Sequence, residues 1–154
     1  MNYSKFKKLV LTRDGGLCVL GLRGCTHVAV DVDHRAGRGM GGAKALDSPE
    51  NGIAACRPCN DAKEHADVFE RGRLLYRGIR VERAIVSELT LDRARNTAVR
   101  YPDGSWWLLD PDGSRRQLSE VVALETNSVY VPHWHEALYR WAGFAPREEA
   151  MNGS

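Results

Sequence analysis

Asp33 and His34 form the pair in this 154-residue chain best placed to do chemistry. They close an alternating run, Val28, Val30 and Val32 with Ala29 and Asp31 between, which has the period of a β-strand. Strand neighbours point to opposite faces unless the strand bends, so such a pair can put one group on a metal and the other on a substrate. Asn60 directly follows a cysteine pair, at the start of a segment that favours helix from Arg57 to about Phe69. If the cysteines hold that helix start against the strand, Asp33 and Asn60 can share one hard cation through oxygen. Magnesium suits such a site, because it keeps several waters and takes one or two protein oxygens plus phosphate. His34, whose unperturbed pKa is about 6.5, can then take a proton from an attacking water near neutral pH. Taken singly, each residue has a plainer reading: Asn60 as a helix cap, Asp33 as an Asx-turn acceptor, His34 as a surface histidine. Only their joint occurrence points to catalysis.

What must bring them together is the cysteine set. Cys18, Cys25, Cys56 and Cys59 are the only cysteines. They form two pairs, Cys18-x6-Cys25 and Cys56-Arg-Pro-Cys59, separated by 30 residues. The second pair has the spacing of a zinc knuckle, and Gly21 and Gly24 suit a tight turn within the first. The pattern points to a four-thiolate structural zinc (Zn2+) site; two disulfides or four free thiols are the alternatives. A site with four thiolates is closed to water, so it would do no chemistry and would only pin two segments together.

Between the pairs the order is strand, glycine-rich loop, turn at Ser48-Pro49-Glu50-Asn51-Gly52, short second strand over Gly52–Ala55, then helix. That joint pattern resembles the HNH endonucleases, or ββα-metal nucleases. The matching stretches are RDGGLCVLGLRGC, DVDHR, GMGG and NGIAACRPCNDAK, covering roughly residues 13–65. The resemblance implies an α+β fold with a ββα-metal core over residues 1–70, stapled by the zinc site, and a C-terminal extension over 71–154. It implies His34 as general base, Asp33 as metal ligand, and Asn51 as the residue that holds the active-site loop and His34 by backbone hydrogen bonds. Asn60 stands where the family's last histidine stands, giving H-N-N, and implies a catalytic Mg2+ or Mn2+ rather than a softer ion. Lys63, one turn from Asn60 on the same face, is a candidate phosphate contact or a solvated helix lysine. Arg35 and Arg38 join it as candidate nucleic-acid contacts. The implied reaction is metal-assisted hydrolysis of phosphodiesters in double-stranded DNA, leaving 5′-phosphate and 3′-hydroxyl ends. The first knuckle looks closest to bacterial and phage proteins. A second copy of the chain or a phage protein is compatible as a partner.

Composition agrees with a polyanionic partner. Residues 1–100 carry 18 Lys/Arg against 12 Asp/Glu, a net of +6, whereas residues 101–154 carry 4 against 8, a net of −4. The basic part suits nucleic acid, although basic faces are often merely solvated. No apolar run approaches the roughly 20 residues of a membrane span, and the N-terminus lacks a signal-peptide pattern, so the cytoplasm of a bacterial host is the expected location. Beyond the core, Val81–Arg95 is expected to be helical, with arginines able to track phosphates. Two Pro-Asp-Gly turns around SWWLLD predict a small β-meander, with one of Trp106 and Trp107 in the core and the other at an interface or base-stacking position. A short helix is expected after Pro132, with His133 and His135 structural, and then a frayed acidic tail. Two rivals remain: a non-catalytic zinc-ribbon nucleic-acid binder, and a phage packaging accessory protein that keeps the fold without cutting. A zinc deaminase is excluded, since no H-x-E precedes the cysteine pair.

Overall fold

The structure, a computed structural model, describes residues 1–130. It is mixed α+β, with two small antiparallel sheets. Helix α1 (Tyr3–Arg13) opens the chain and lies outside the expectations above. Asn2 caps it by accepting the Lys5 amide at 2.8 Å, and its buried face is narrow, Phe6 and Val10, one turn apart. Strands β1 (Asp31–His34) and β2 (Gly52–Ala55) pair antiparallel, with Asp31 opposite Ala55 and His34 opposite Gly52. Helix α2 (Arg57–Glu64) follows β2 at once, with Pro58 in its first turn, where the missing amide hydrogen costs nothing. Strand, strand and helix thus occur in the expected order.

Three boundaries differ from the sequence reading. The strand expected from Val28 begins to pair with β2 only at Asp31; Val28 makes an isolated bridge to Leu17. The helix expected to reach Phe69 stops at Glu64, because Asp67 accepts the Glu70 amide at 2.9 Å and starts a new helix, α3 (Val68–Tyr76). The helix expected from Val81 begins at Ser87, as α4 (Ser87–Arg95), since Thr90 Oγ1 accepts the Ala84 amide and holds the preceding segment irregular. The meander is present: β3 (Val99–Arg100), β4 (Trp106–Leu109) and β5 (Arg115–Leu118) pair in sequence order. Helix α5 (Glu120–Asn127), capped by Ser119, packs behind it. Trp106 is buried and Trp107 half-buried. The expected helix after Pro132, with His133 and His135, and the acidic tail lie outside the described residues.

A single apolar cluster crosses the expected domain division. Phe6, Leu20 and Ile53 from the first part share it with Leu74, Ile79, Val99 and Leu109 from the second. The division at residue 70 falls inside α3. Gly78, at φ +69, ends that helix, and a side chain there would collide with the Ala98 carbonyl, so the close approach of β3 depends on glycine. Arg77 adds bonds to the Leu20 carbonyl at 2.8 Å and the Arg100 carbonyl at 3.2 Å. Among the described residues no helix is long and apolar enough to cross a membrane.

Candidate active site and sulfur cluster

The β1–β2 hairpin has chemistry at both ends. At the Asp31/Ala55 end, Cys56 caps α2 and Cys59 lies in its first turn. Cys18 and Cys25 reach them from the loop after α1. The four sulfurs all lie within 4.8 Å of one another, with Cys25 and Cys56 at 3.9 Å. A tetrahedron of sulfurs about 2.3 Å from a central ion has edges of about 3.8 Å, so the cluster could hold a metal ion such as zinc. The same 3.9 Å is far beyond the roughly 2.05 Å of a disulfide. Backbone amides support the sulfurs: Leu22 donates to Cys59 and His27 to Cys25, each at 3.3 Å. Burial opposes ionisation of Cys56, but hydrogen bonds from Thr26 and Cys59 draw its pKa down to about 6.

At the other end, His34 is neither free nor superficial. Its Nε2 is 2.7 Å from Asp47 Oδ1, and its ring stacks at 5.3 Å on Phe6. Gly52, directly across the ladder, makes room for that ring; a Cβ there would meet the Phe6 ring at 2.6 Å. Burial raises the Asp47 pKa, but hydrogen bonds from His34 and Arg38 outweigh it and hold the carboxyl below its ordinary value. An ionised Asp47 can only accept, so the His34 Nε2–H donates to it. Asn51, fully buried, closes the loop that follows His34. Its Oδ1 accepts the Ala36 amide at 2.9 Å, and its Nδ2 donates to the carbonyls of Ala36 at 3.0 Å and Leu46 at 3.1 Å. These bonds brace the loop at Ala36 and Leu46; none of them reaches His34.

Asp33 points to the opposite side of β1 from His34 and is buried. Its Oδ2 takes the Lys63 ammonium at 2.5 Å, and Lys63 also donates to the His34 carbonyl at 2.6 Å. Lys63 is itself only 6% exposed, so the expectation that it touches phosphate is corrected: its charge is committed to Asp33. Burial pushes the Asp33 carboxyl up, against the attraction of Lys63. Asp33 Oδ1 makes no hydrogen bond among the described residues. Asn60 is half-buried and, as the fourth residue of α2, is not the helix cap.

Arg35 is also corrected. It is 1% exposed, and its guanidinium donates to four carbonyls: Gly78, Glu50 and Ala94 at 2.8 Å and Thr97 at 2.7 Å. Burial, with a smaller push from Arg13, pulls its pKa down to about 9, which leaves it charged at neutrality. No phosphate can reach it. Arg38 is a third exposed and grips both Asp47 oxygens, at 3.0 and 2.9 Å. A cleft of about 380 Å³ opens beside His34, walled by Lys63, Glu64, Arg80, Glu82 and Arg83. Arg80 and Arg83 form no ion pair among the described residues.

Two elements of the site were not singled out in the sequence. Asp47 lies thirteen residues beyond His34 with no periodic relation to it, and its only signal is a carboxylate ahead of the Ser48-Pro49 turn. Arg80 and Arg83 sit within a run of arginines that the sequence presents as equivalent. In comparisons with known proteins the chain matches no family model, no curated protein and no solved structure, so the meaning of the site rests on its own geometry.

Proposed function

We propose that the chain is a divalent-metal-dependent endonuclease of the HNH, or ββα-metal, class that hydrolyses phosphodiester bonds of double-stranded DNA. The observation that carries the reading is the fixed imidazole beside a basic cleft: Asp47 engages His34 Nε2, and His34 is one of the residues lining a cleft walled by Arg80 and Arg83. In this reading Nδ1 takes the proton of the attacking water, and Asp47 stabilises the imidazolium that forms. Arg80 and Arg83 bind the phosphate oxygens. Asn51 keeps the loop from Arg35 to Leu46 from collapsing into the cleft. The donor set suits a hard ion, since Asp33 Oδ1 and the Asn60 side-chain carbonyl are oxygens without another partner among the described residues. They would hold Mg2+ or Mn2+, which would stabilise charge on the departing 3′ oxygen. The sulfur cluster would hold structural Zn2+ and fix the start of α2 against β1.

One observation favours a rival. The pairing of Asp33 with Lys63 neutralises the expected metal ligand, as suits a non-catalytic zinc-ribbon nucleic-acid binder or phage packaging accessory protein. Plasmid nicking in Mg2+ against EDTA separates the two. The nuclease reading expects Mg2+-dependent nicks with 5′-phosphate ends, lost in His34→Ala. Binding without nicking in Mg2+ or Mn2+ supports the rival, and a folded His34→Ala protein that cuts at full rate overturns the assignment of the base.

A further inference from the structure

A second cavity lies away from His34. A space of about 580 Å³ opens between the loop that carries Cys18 and Cys25 and the first turn of the meander. Its apolar wall is Leu17, Val19, Leu22 and Pro102, with Tyr101 beside them. Leu17 is 59% exposed and lines the space. The charged wall is Arg115. Its guanidinium carbon is 3.8 Å from the centre of the Trp107 ring and 4.8 Å from that of Tyr101. Among the described residues Arg115 makes neither a hydrogen bond nor an ion pair. The nearby Asp103 is spent on Ser105, accepting its amide at 2.9 Å and its hydroxyl at 2.5 Å. Asp14 is likewise committed, to Arg13, Tyr101 and the Ala54 amide.

A planar cation laid across two aromatic rings is held in one orientation, with N–H edges left to bind an anion. Placed against an apolar wall, it makes a two-part receptor: flat apolar surface for a ring and a fork for an oxyanion. We infer that this cavity binds a nucleotide unit, the base against the wall of Leu17, Leu22 and Pro102 and the phosphate on Arg115. The inference rests on the proposed nucleic-acid substrate for its choice of ligand, but not on cleavage. The unit can be a free mononucleotide or one residue of a bound strand. In the second case the cavity, lined in part by Cys18 and Cys25, adds a contact made by none of the cleft residues.

The test uses the full chain carrying His34→Ala, so that nothing is cut, with Arg side-chain and backbone amide resonances followed by NMR. The probes are deoxynucleoside monophosphates, a short 5′-phosphorylated single strand, and inorganic phosphate. The expected result is saturable shifts at the Arg115 Nε–H and the amides of Leu17, Leu22 and Tyr101, with binding roughly tenfold weaker in Arg115→Ala. A second variant, Leu17→Glu, changes an exposed side chain and should weaken binding by repelling phosphate at the cavity edge. Mononucleotides that bind as well as the strand identify a free ligand, and a strand that binds much tighter identifies a unit of the substrate; either supports the cavity. Inorganic phosphate that reproduces the shifts with equal affinity removes the role of the base and overturns the assignment. So does the absence of shifts at millimolar nucleotide, or shifts that both variants retain. A protein that nicks DNA yet leaves Arg115 unmoved refutes only the cavity; one that fills the cavity and never nicks refutes only the nuclease.

Discussion

The two ends of the β1–β2 hairpin lie about 10 Å apart along four residue pairs, and they are built on opposite plans. At the Cys56 end the sulfurs face one another: four converge, and backbone amides from Leu22 and His27 donate to two of them. At the His34 end the polar atoms are held from behind and left open in front. Asp47, Asn51 and Phe6 fix the ring and its loop, and the cleft lies before them. The difference teaches how one short hairpin can separate stability from reactivity. A closed set of ligands consumes its donors, whereas the braced imidazole has one nitrogen, Nδ1, without a hydrogen bond among the described residues.

The largest expected effect breaks the closed end. Cys59→Ser, or a strong chelator, should release one zinc per chain and cost more than about 5 kcal/mol, enough to unfold most of the described residues. Metal analysis with thermal melting by circular dichroism checks it; an unchanged melting curve means the sulfurs hold no structural ion. The second test spares the fold and strikes the open end. His34→Ala should lower nicking by about 10²- to 10⁴-fold while stability changes by about 1 kcal/mol or less. Equal losses of both would erase the contrast between the ends. Third, Asn51→Ala removes a fully buried amide with three backbone partners and should cost about 2–4 kcal/mol, with faster amide exchange at Ala36. Exchange unaltered at Ala36 would show that the loop is held by something else.

The smallest effect sharpens the role of Asp47. Its folded pKa is depressed, so its stabilising contribution is full above its unfolded pKa of about 3.9 and is lost as pH falls through the lower folded value. Asp47→Asn should therefore flatten the acid side of the stability curve. It should also slow nicking by about tenfold at neutral pH, because a neutral acceptor supports the imidazolium less. Urea melts between pH 2 and 6 decide the first point, and a variant whose acid sensitivity matches the wild type contradicts it.

What the sequence revealed depended on distance along the chain. The cysteine pairs, Asp33-His34 and Asn51 are legible because each lies within a short stretch whose residue types and spacing constrain one another. Asn51 bonds the backbone at Ala36 and Leu46, within the loop that follows His34. Lys63 was legible as to its helix face but not its partner, because Asp33 lies thirty residues away and only packing brings them together. Arg35 misled for a similar reason. A cation beside a catalytic pair looks like a phosphate contact, and nothing local shows that four carbonyls from distant segments surround it. Helix α1 was missed because its buried stripe is only Phe6 and Val10. The break at Asp67 was missed because helix-forming residues flank a side chain that competes for the backbone.

Arg35 also bears on whether the chain can be taken apart. One of its four guanidinium bonds goes to the loop before β2, at Glu50, and three go to the second part of the chain, at Gly78, Ala94 and Thr97. A fragment ending at residue 70 would keep the cysteines, the histidine and the hairpin, yet would leave a buried positive charge facing absent carbonyls. The part that carries the cysteines and His34 is therefore not a portable module to which a tail was appended. Its architecture is complete only when the extension folds onto it, and exchanging that extension for another means redesigning the socket around one arginine.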